Sequence, residues 1–189
     1  MKLLVIIAST RPGRIGHKVG KWVVDYSKQN SDFEVEVADL AEINLPFLDA
    51  PVPPIMADGK YTNDHTTAWS KTVDSADAFV IVTPEYNYTM PPALVNAIDY
   101  LHKEWSYKPV GFVGYGVTGA VRAIQTEKLL LVGFNTMPIS KGVELVGVYS
   151  PAMSDFTANE QHNKSASAML QELHKWAKAL APLHQKLQA

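Results

Sequence analysis

The chain contains no cysteine. That excludes disulfides, thiol catalysis and Cys-ligated metals, and it fits a reducing compartment. Neither sign of charge dominates: 17 basic residues face 19 acidic ones, a net charge of −2. Without a basic excess there is no electrostatic footprint for nucleic acid. No apolar run approaches the roughly 18 residues of a membrane span. The run behind Met1-Lys2, from Leu3 to Ala8, is also too short for a signal peptide and meets Arg11 at once. A soluble, cytoplasmic protein with neither nucleic-acid nor membrane partner is the expectation. Two familiar phosphate loops are missing from the first strand-to-helix turn as well. There is no Gly-Lys-Ser/Thr, and no Gly-x-Gly-x-x-Gly follows the first apolar run. The six histidines have no close metal spacing such as His-Glu-x-x-His, so no metal site is expected.

What is present is a core. Apolar residues make up 47% of the 189, enough for one sizeable domain and short for two. A single domain over residues 1–189 is therefore expected. Near its start lies Ala8-Ser9-Thr10-Arg11-Pro12-Gly13-Arg14-Ile15-Gly16. It follows the apolar run and precedes a helical pattern in which Ile15, Val19, Val23 and Tyr26 recur at three- or four-residue steps. The stretch is thus a strand-to-helix turn carrying two hydroxyls, two guanidiniums and two glycines. A helix start offers unpaired N–H groups and a partial positive charge. Ser9, Thr10, Arg11 and Arg14 make it suited to a phosphate. The same residues would also serve as an ordinary turn, with Ser9 or Thr10 as the helix cap.

Strands and helices then alternate. The spacing predicts strands at Lys2–Ala8, Phe33–Ala38, Ala78–Val82, Pro109–Val113 and Val143–Val148. Helices are expected from about Gly16 to Gln29, Asn63 to Ser75, Pro92 onward, Ala120 to Val132, and from a Thr157-x-x-Glu160 capping box onward. Pro182 is expected to kink or end the last helix. The proline-rich, apolar stretch from Asn44 to Gly59 reads as a loop that packs on something. Five alternations imply a parallel sheet covered by helices on both faces. The second and fifth strands alternate apolar with polar and belong at the edges; the first and third are the most apolar and belong in the centre. The order 2-1-3-4-5 satisfies both conditions. It opens a crevice at the carboxyl ends of the first and third strands.

Three loops meet there. Thr83-Pro84-Glu85-Tyr86-Asn87-Tyr88-Thr89-Met90-Pro91 combines rigid backbone with flat side chains, a wall suited to a planar ring. Tyr86 and Tyr88 packing on neighbours is the plainer alternative, and Glu85 reads as a capping carboxylate or as a general base. Gly114-Tyr115-Gly116-Val117-Thr118-Gly119 lets the backbone approach a ligand, or simply turns tightly.

Ser9-Thr10-Arg11, Pro84-Glu85-Tyr86-Asn87 and Leu94-x-Asn96-Ala97-Ile98-Asp99-Tyr100-Leu101 together resemble the NADPH-dependent FMN reductase family, over Lys2 to about Val148. The resemblance implies a flavodoxin-like three-layer sandwich. It implies FMN, with NADPH or NADH as reductant and a small-molecule electron acceptor such as a quinone, flavin or azo compound. Ser9, Arg11, Arg14, Ile15, Gly16 and His17 would hold the phosphate. Pro84, Glu85, Tyr86 and Asn87 would line the isoalloxazine, and Gly114, Gly116 and Gly119 match the family's glycine loop. One shared ring face implies ping-pong kinetics with no catalytic side chain. The family also implies a homodimer or homotetramer. Gly16 stands where the family often has a hydroxyl, Pro92 where it has glycine, and Ala120 where it has the second of two glycines. A flavodoxin-type electron carrier without a nicotinamide site is the alternative; such carriers are strongly acidic, which a net charge of −2 is not. A non-flavin α/β regulatory domain is a further one.

Overall fold

The computed structural model describes residues 1–149 and 156–188. Five parallel strands form one sheet: β1 (Lys2–Ile7), β2 (Glu34–Asp39), β3 (Ala78–Pro84), β4 (Pro109–Gly116) and β5 (Met137–Val146), in the order β2-β1-β3-β4-β5. The helices are α1 (Gly16–Asn30), α2 (Leu40–Ile43), α3 (Pro54–Ala57), α4 (Asp64–Asp74), α5 (Pro92–Asp99), α6 (Val121–Val132) and α7 (Glu160–Gln188).

The pleat of β1 explains the layers. Successive side chains point to opposite faces of a sheet. Leu3 and Val5 join a core with Val19 and Val23 of α1 and Met169 and Leu173 of α7. Leu4 and Ile6 join a second core with Trp69 and Val73 of α4, Leu94 and Ile98 of α5, and Leu131 of α6. Each fully buried Leu, Ile or Val contributes roughly 1.5–3 kcal/mol. Both faces of β1 and β3 are sealed, which is why they read as unbroken apolar runs. β2 is an edge strand, and Val37 on it is 48% exposed.

Several boundaries differ from the sequence reading. β3 continues through Thr83 and Pro84, and β4 through Gly114, Tyr115 and Gly116, because ladder pairing carries on past the apolar residues as Thr83↔Gly114 and Pro84↔Tyr115. β5 starts at Met137, six residues early, with a register irregularity between Val110 and Phe112 on its partner. The Asn44–Gly59 stretch contains the one-turn helix α3, with Pro54 at its first position, where the missing N–H costs nothing. α2 is also unforeseen; Asp39 caps it by accepting from the Ala41 N–H at 3.0 Å. The capping box of α7 is shifted by two. The Asn159 side chain accepts from the His162 N–H at 2.9 Å, and His162 Nδ1 accepts from the Asn159 N–H at 3.3 Å. α7 runs on through Pro182 rather than ending there.

The proline-rich stretch does pack, and its fastener is on α5. Asn96 donates from Nδ2 to the Pro46 carbonyl at 2.7 Å and accepts from the Leu48 N–H at 2.9 Å. One turn on, the Tyr100 hydroxyl reaches the same Pro46 carbonyl at 3.1 Å and Asp49 Oδ1 at 3.1 Å. Asn63 stands at the cap position of α4, yet its side chain donates to Asp49 at 2.9 Å instead of capping.

Candidate functional site

At the carboxyl ends of β1, β3 and β4 lies a cavity of about 710 Å³. Three loops line it, joined by Tyr149 beyond the end of β5. Ser9, Arg11, Arg14 and Ile15 come from the turn after β1; Pro84 to Tyr88 from the turn after β3; Tyr115 to Thr118, with Arg122, from the end of β4 and the start of α6.

The first loop is shaped as an anion cradle. It turns tightly, with the Arg14 N–H donating to the Arg11 carbonyl at 3.1 Å and Gly13 at φ 71°. Arg14 is oriented from another element: its Nη2 donates to Asp39 Oδ2 of β2 at 2.8 Å. Its Nη1 is buried and has no protein partner. The Tyr115 hydroxyl is likewise buried without a partner. Two unpaired buried donors beside the opening of α1 are what an anion would satisfy, since an unmet buried donor costs about 1–3 kcal/mol. Burial pushes the Tyr115 phenol above its ordinary value, with the neighbouring Ser9 hydroxyl, and then Arg14 and Arg11, pulling the other way. It therefore remains a donor at neutral pH.

The second loop is a two-residue hairpin. The Tyr86 and Thr89 backbones exchange hydrogen bonds of 2.9 and 3.1 Å around Asn87 and Tyr88. Asn87 and Tyr88 sit at φ 49° and 71°. Asn tolerates this; a bulky Tyr there is strained, and such strain concentrates at ligand sites. The Arg122 guanidinium lies 4.0 Å from the Tyr88 ring centroid and offsets part of that cost. Tyr86 ties the hairpin to the first loop: its hydroxyl is 2.6 Å from Ser9 Oγ.

Glu85 is the loop's only carboxylate. Its Oε1 accepts from Arg122 Nε at 2.8 Å and also from Nη2, while Oε2 accepts from the Arg122 backbone N–H at 3.0 Å. Burial alone would raise its pKa, but the Arg122 hydrogen bonds outweigh that and hold it below the ordinary glutamate value. Glu85 is thus an anion capping α6, and the general-base alternative loses its ground.

Four of the thirteen residues singled out from sequence do not line the cavity. His17 is exposed on α1. Gly16 is buried, its Cα facing the Tyr115 hydroxyl. A Cβ on Gly114 would strike the Gly119 carbonyl, so Gly114 serves close packing inside the sheet. Gly119, at φ 68°, turns the chain into α6. The nine others do meet there. Sequence reasoning missed Tyr115 and Arg122, which line the cavity, and Asp39, which orients Arg14. Glu127 of α6 is fully buried beneath the hairpin, with Oε1 2.5 Å from Thr83 Oγ1.

A second cavity of about 570 Å³ adjoins the first across Tyr86 and Thr10. Its other walls are the Leu40–Phe47 stretch and the start of α5, Pro91 to Ala97.

The sequence profile of the family described as NADPH-dependent FMN reductase matches residues 1–149. An NAD(P)H-dependent FMN reductase of Schizosaccharomyces pombe is 42% identical over 118 residues, which is 62% of this chain and 59% of that protein. The match therefore spans less than two thirds of that relative's own length. An NADPH azoreductase of a Bacillus species is 32% identical over 155 residues, 79% of each chain. Among solved structures, FerB, a flavoenzyme NAD(P)H:(acceptor) oxidoreductase from Paracoccus denitrificans, superposes with a TM-score of 0.73 at 21% identity, covering 95% of this chain and 98% of that one. That likeness establishes the flavodoxin-like fold.

Proposed function

The chain belongs to the NADPH-dependent FMN reductase family, and from that premise we propose that it is a cytoplasmic NAD(P)H-dependent FMN reductase passing two electrons to a quinone, flavin or azo acceptor. The observation that carries the reading is the pair of buried, unpartnered donors, Arg14 Nη1 and the Tyr115 hydroxyl, at the opening of α1. A flavin phosphate suits such a cradle, and the residues present fit it.

Arg11 and Arg14 grip the phosphate, and Asp39 keeps Arg14 aimed. Gly16 adds no side chain to the site. The hairpin from Pro84 to Tyr88 walls the ring and offers it main-chain polar groups. FMN would supply the redox chemistry here, two-electron transfer between a nicotinamide and the acceptor. The protein binds, orients and keeps water away. No side chain is assigned as acid or base, since Glu85 is committed to Arg122. The 570 Å³ cavity beside Tyr86 leaves room for a second ligand next to the first; one ring face shared by donor and acceptor belongs to the family reading and would give ping-pong kinetics. Among the described residues, no helix is long and apolar enough to cross a membrane.

A homodimer or homotetramer belongs to the same reading. Phe47, Ile55 and Met56 are 86, 64 and 74% exposed on the proline-rich stretch. Apolar side chains clustered like this mark contact surfaces. The test is a visible spectrum of the purified protein followed by NADPH and NADH oxidation with a quinone or azo dye. Flavin absorbance and parallel-line kinetics are expected. A yellow protein that oxidises no nicotinamide would point to an electron carrier, and a colourless one that takes up no FMN to neither.

A further inference from the structure

We propose that Tyr115 is a phosphate ligand of this site, donating its phenol hydroxyl to the anion that Arg11 and Arg14 hold; this rests on the flavin-phosphate reading above.

Three independent features of the fold converge on it. The residue is only 4% exposed, and its buried hydroxyl faces Ser9, whose own Oγ is engaged by the Tyr86 hydroxyl at 2.6 Å, which leaves the phenol without a well-formed protein hydrogen bond. It is not remote from the cradle: it lines the same cavity as Ser9, Arg11 and Arg14. Finally, its oxygen lies over the first residue of α1. A Cβ built on Gly16 would stand 2.5 Å from that oxygen. The hydroxyl therefore occupies the space that a side chain at position 16 would fill, where helix N–H groups lack intrahelical partners. The phenol reaches this spot because β4 continues through Gly116. Pairing of Tyr115 with Pro84 and Leu145 fixes the strand on both sides, and burial of the ring at 4% exposure confines the side chain. A neutral hydroxyl between two arginines is repelled by neither, and it adds a third kind of donor around an anion. Arginine forks would supply charge, helix amides a set of N–H donors, and the phenol a neutral donor.

Geometry makes position 16 and the Tyr115 hydroxyl mutually exclusive. A serine at 16 needs the oxygen's space, yet its Cβ would meet the ring carbon Cζ at an ordinary 3.4 Å once the oxygen is gone. The two residues can thus be tested as a swap.

The experiment titrates the apo-protein with FMN and with riboflavin, which lacks the phosphate, by quenching of flavin fluorescence. Tyr115→Phe should weaken FMN roughly 10- to 100-fold, the scale of one hydrogen bond to a charged group, and leave riboflavin unchanged. Gly16→Ser alone should also weaken FMN, and Gly16→Ser with Tyr115→Phe should recover part of the loss. An unaltered FMN affinity in Tyr115→Phe overturns the proposal. So does an equal loss for FMN and riboflavin, which would make the phenol a packing group. A wild-type protein that binds neither flavin overturns the flavin reading itself, and this ligand with it.

Discussion

The surroundings of Glu85 and Glu127 push the two carboxyls in opposite directions. Glu85 is kept ionised by Arg122. Glu127 is fully buried, and burial pushes its carboxyl up to about 8, with the Thr83 hydroxyl pulling the other way. The Thr83 hydroxyl donates to Glu127 Oε1 at 2.5 Å, and the Pro84 carbonyl lies 3.1 Å from the same hydroxyl oxygen. The linkage sign follows: a raised carboxyl contributes fully below its unfolded value of about 4.5 and its contribution is lost as pH rises toward 8. Glu127→Gln keeps a donor and cannot ionise. Its melting temperature should match the wild type near pH 5 and exceed it increasingly up to pH 8, by on the order of 2–4 kcal/mol in stability. Parallel melting curves across that range would refute the assignment. At this scale the sequence is half legible. Arg11 and Arg14 announce themselves because they stand in the turn they serve. Arg122 and Glu127 do not, because each acts on a residue 37 or 44 positions away. Only Tyr115, set between two glycines of a loop already singled out, left a local sign.

Among the elements, the motif Asn96 to Tyr100 shows the same split. Its presence is plain in sequence; its physical task is not. In the fold it fastens the proline-rich stretch, through Asn96 to Pro46 and Leu48 and through Tyr100 to Asp49. That stretch is one wall of the 570 Å³ cavity. Asn96→Ala removes two hydrogen bonds and should cost about 1–3 kcal/mol. Limited proteolysis within residues 46–60 should quicken, while FMN affinity falls little. Gly114→Ala should do the reverse, because its Cβ would strike the Gly119 carbonyl and displace the turn into α6. Flavin binding in that variant should drop more than tenfold, measured by the same titration. Boundaries were misjudged where pairing extends beyond apolar residues, as at Thr83–Pro84 and Gly114–Gly116, and where a proline opens a one-turn helix at Pro54.

For the whole molecule, strand order was legible because edge and centre strands are solvated differently. β2 leaves Glu34 and Val37 exposed and Val35 and Glu36 half-buried, whereas β1 exposes none, in keeping with the order β2-β1-β3-β4-β5. Assembly is less legible, since exposure of Phe47 and Met56 becomes meaningful only once the stretch is seen fastened down. Phe47→Asp combined with Met56→Asp should shift the protein toward monomer in sedimentation velocity, with the fold unchanged by circular dichroism. A wild type that sediments as a monomer would set that proposal aside. The most direct measurement of the central claim is the affinity of apo-protein for FMN against riboflavin, in the wild type and in Arg11→Ala. An anion cradle at the start of α1 predicts that FMN binds one per chain and at least a hundredfold tighter than riboflavin, and that Arg11→Ala erases most of the gap. Equal affinity for the two flavins, or binding of neither, would contradict it.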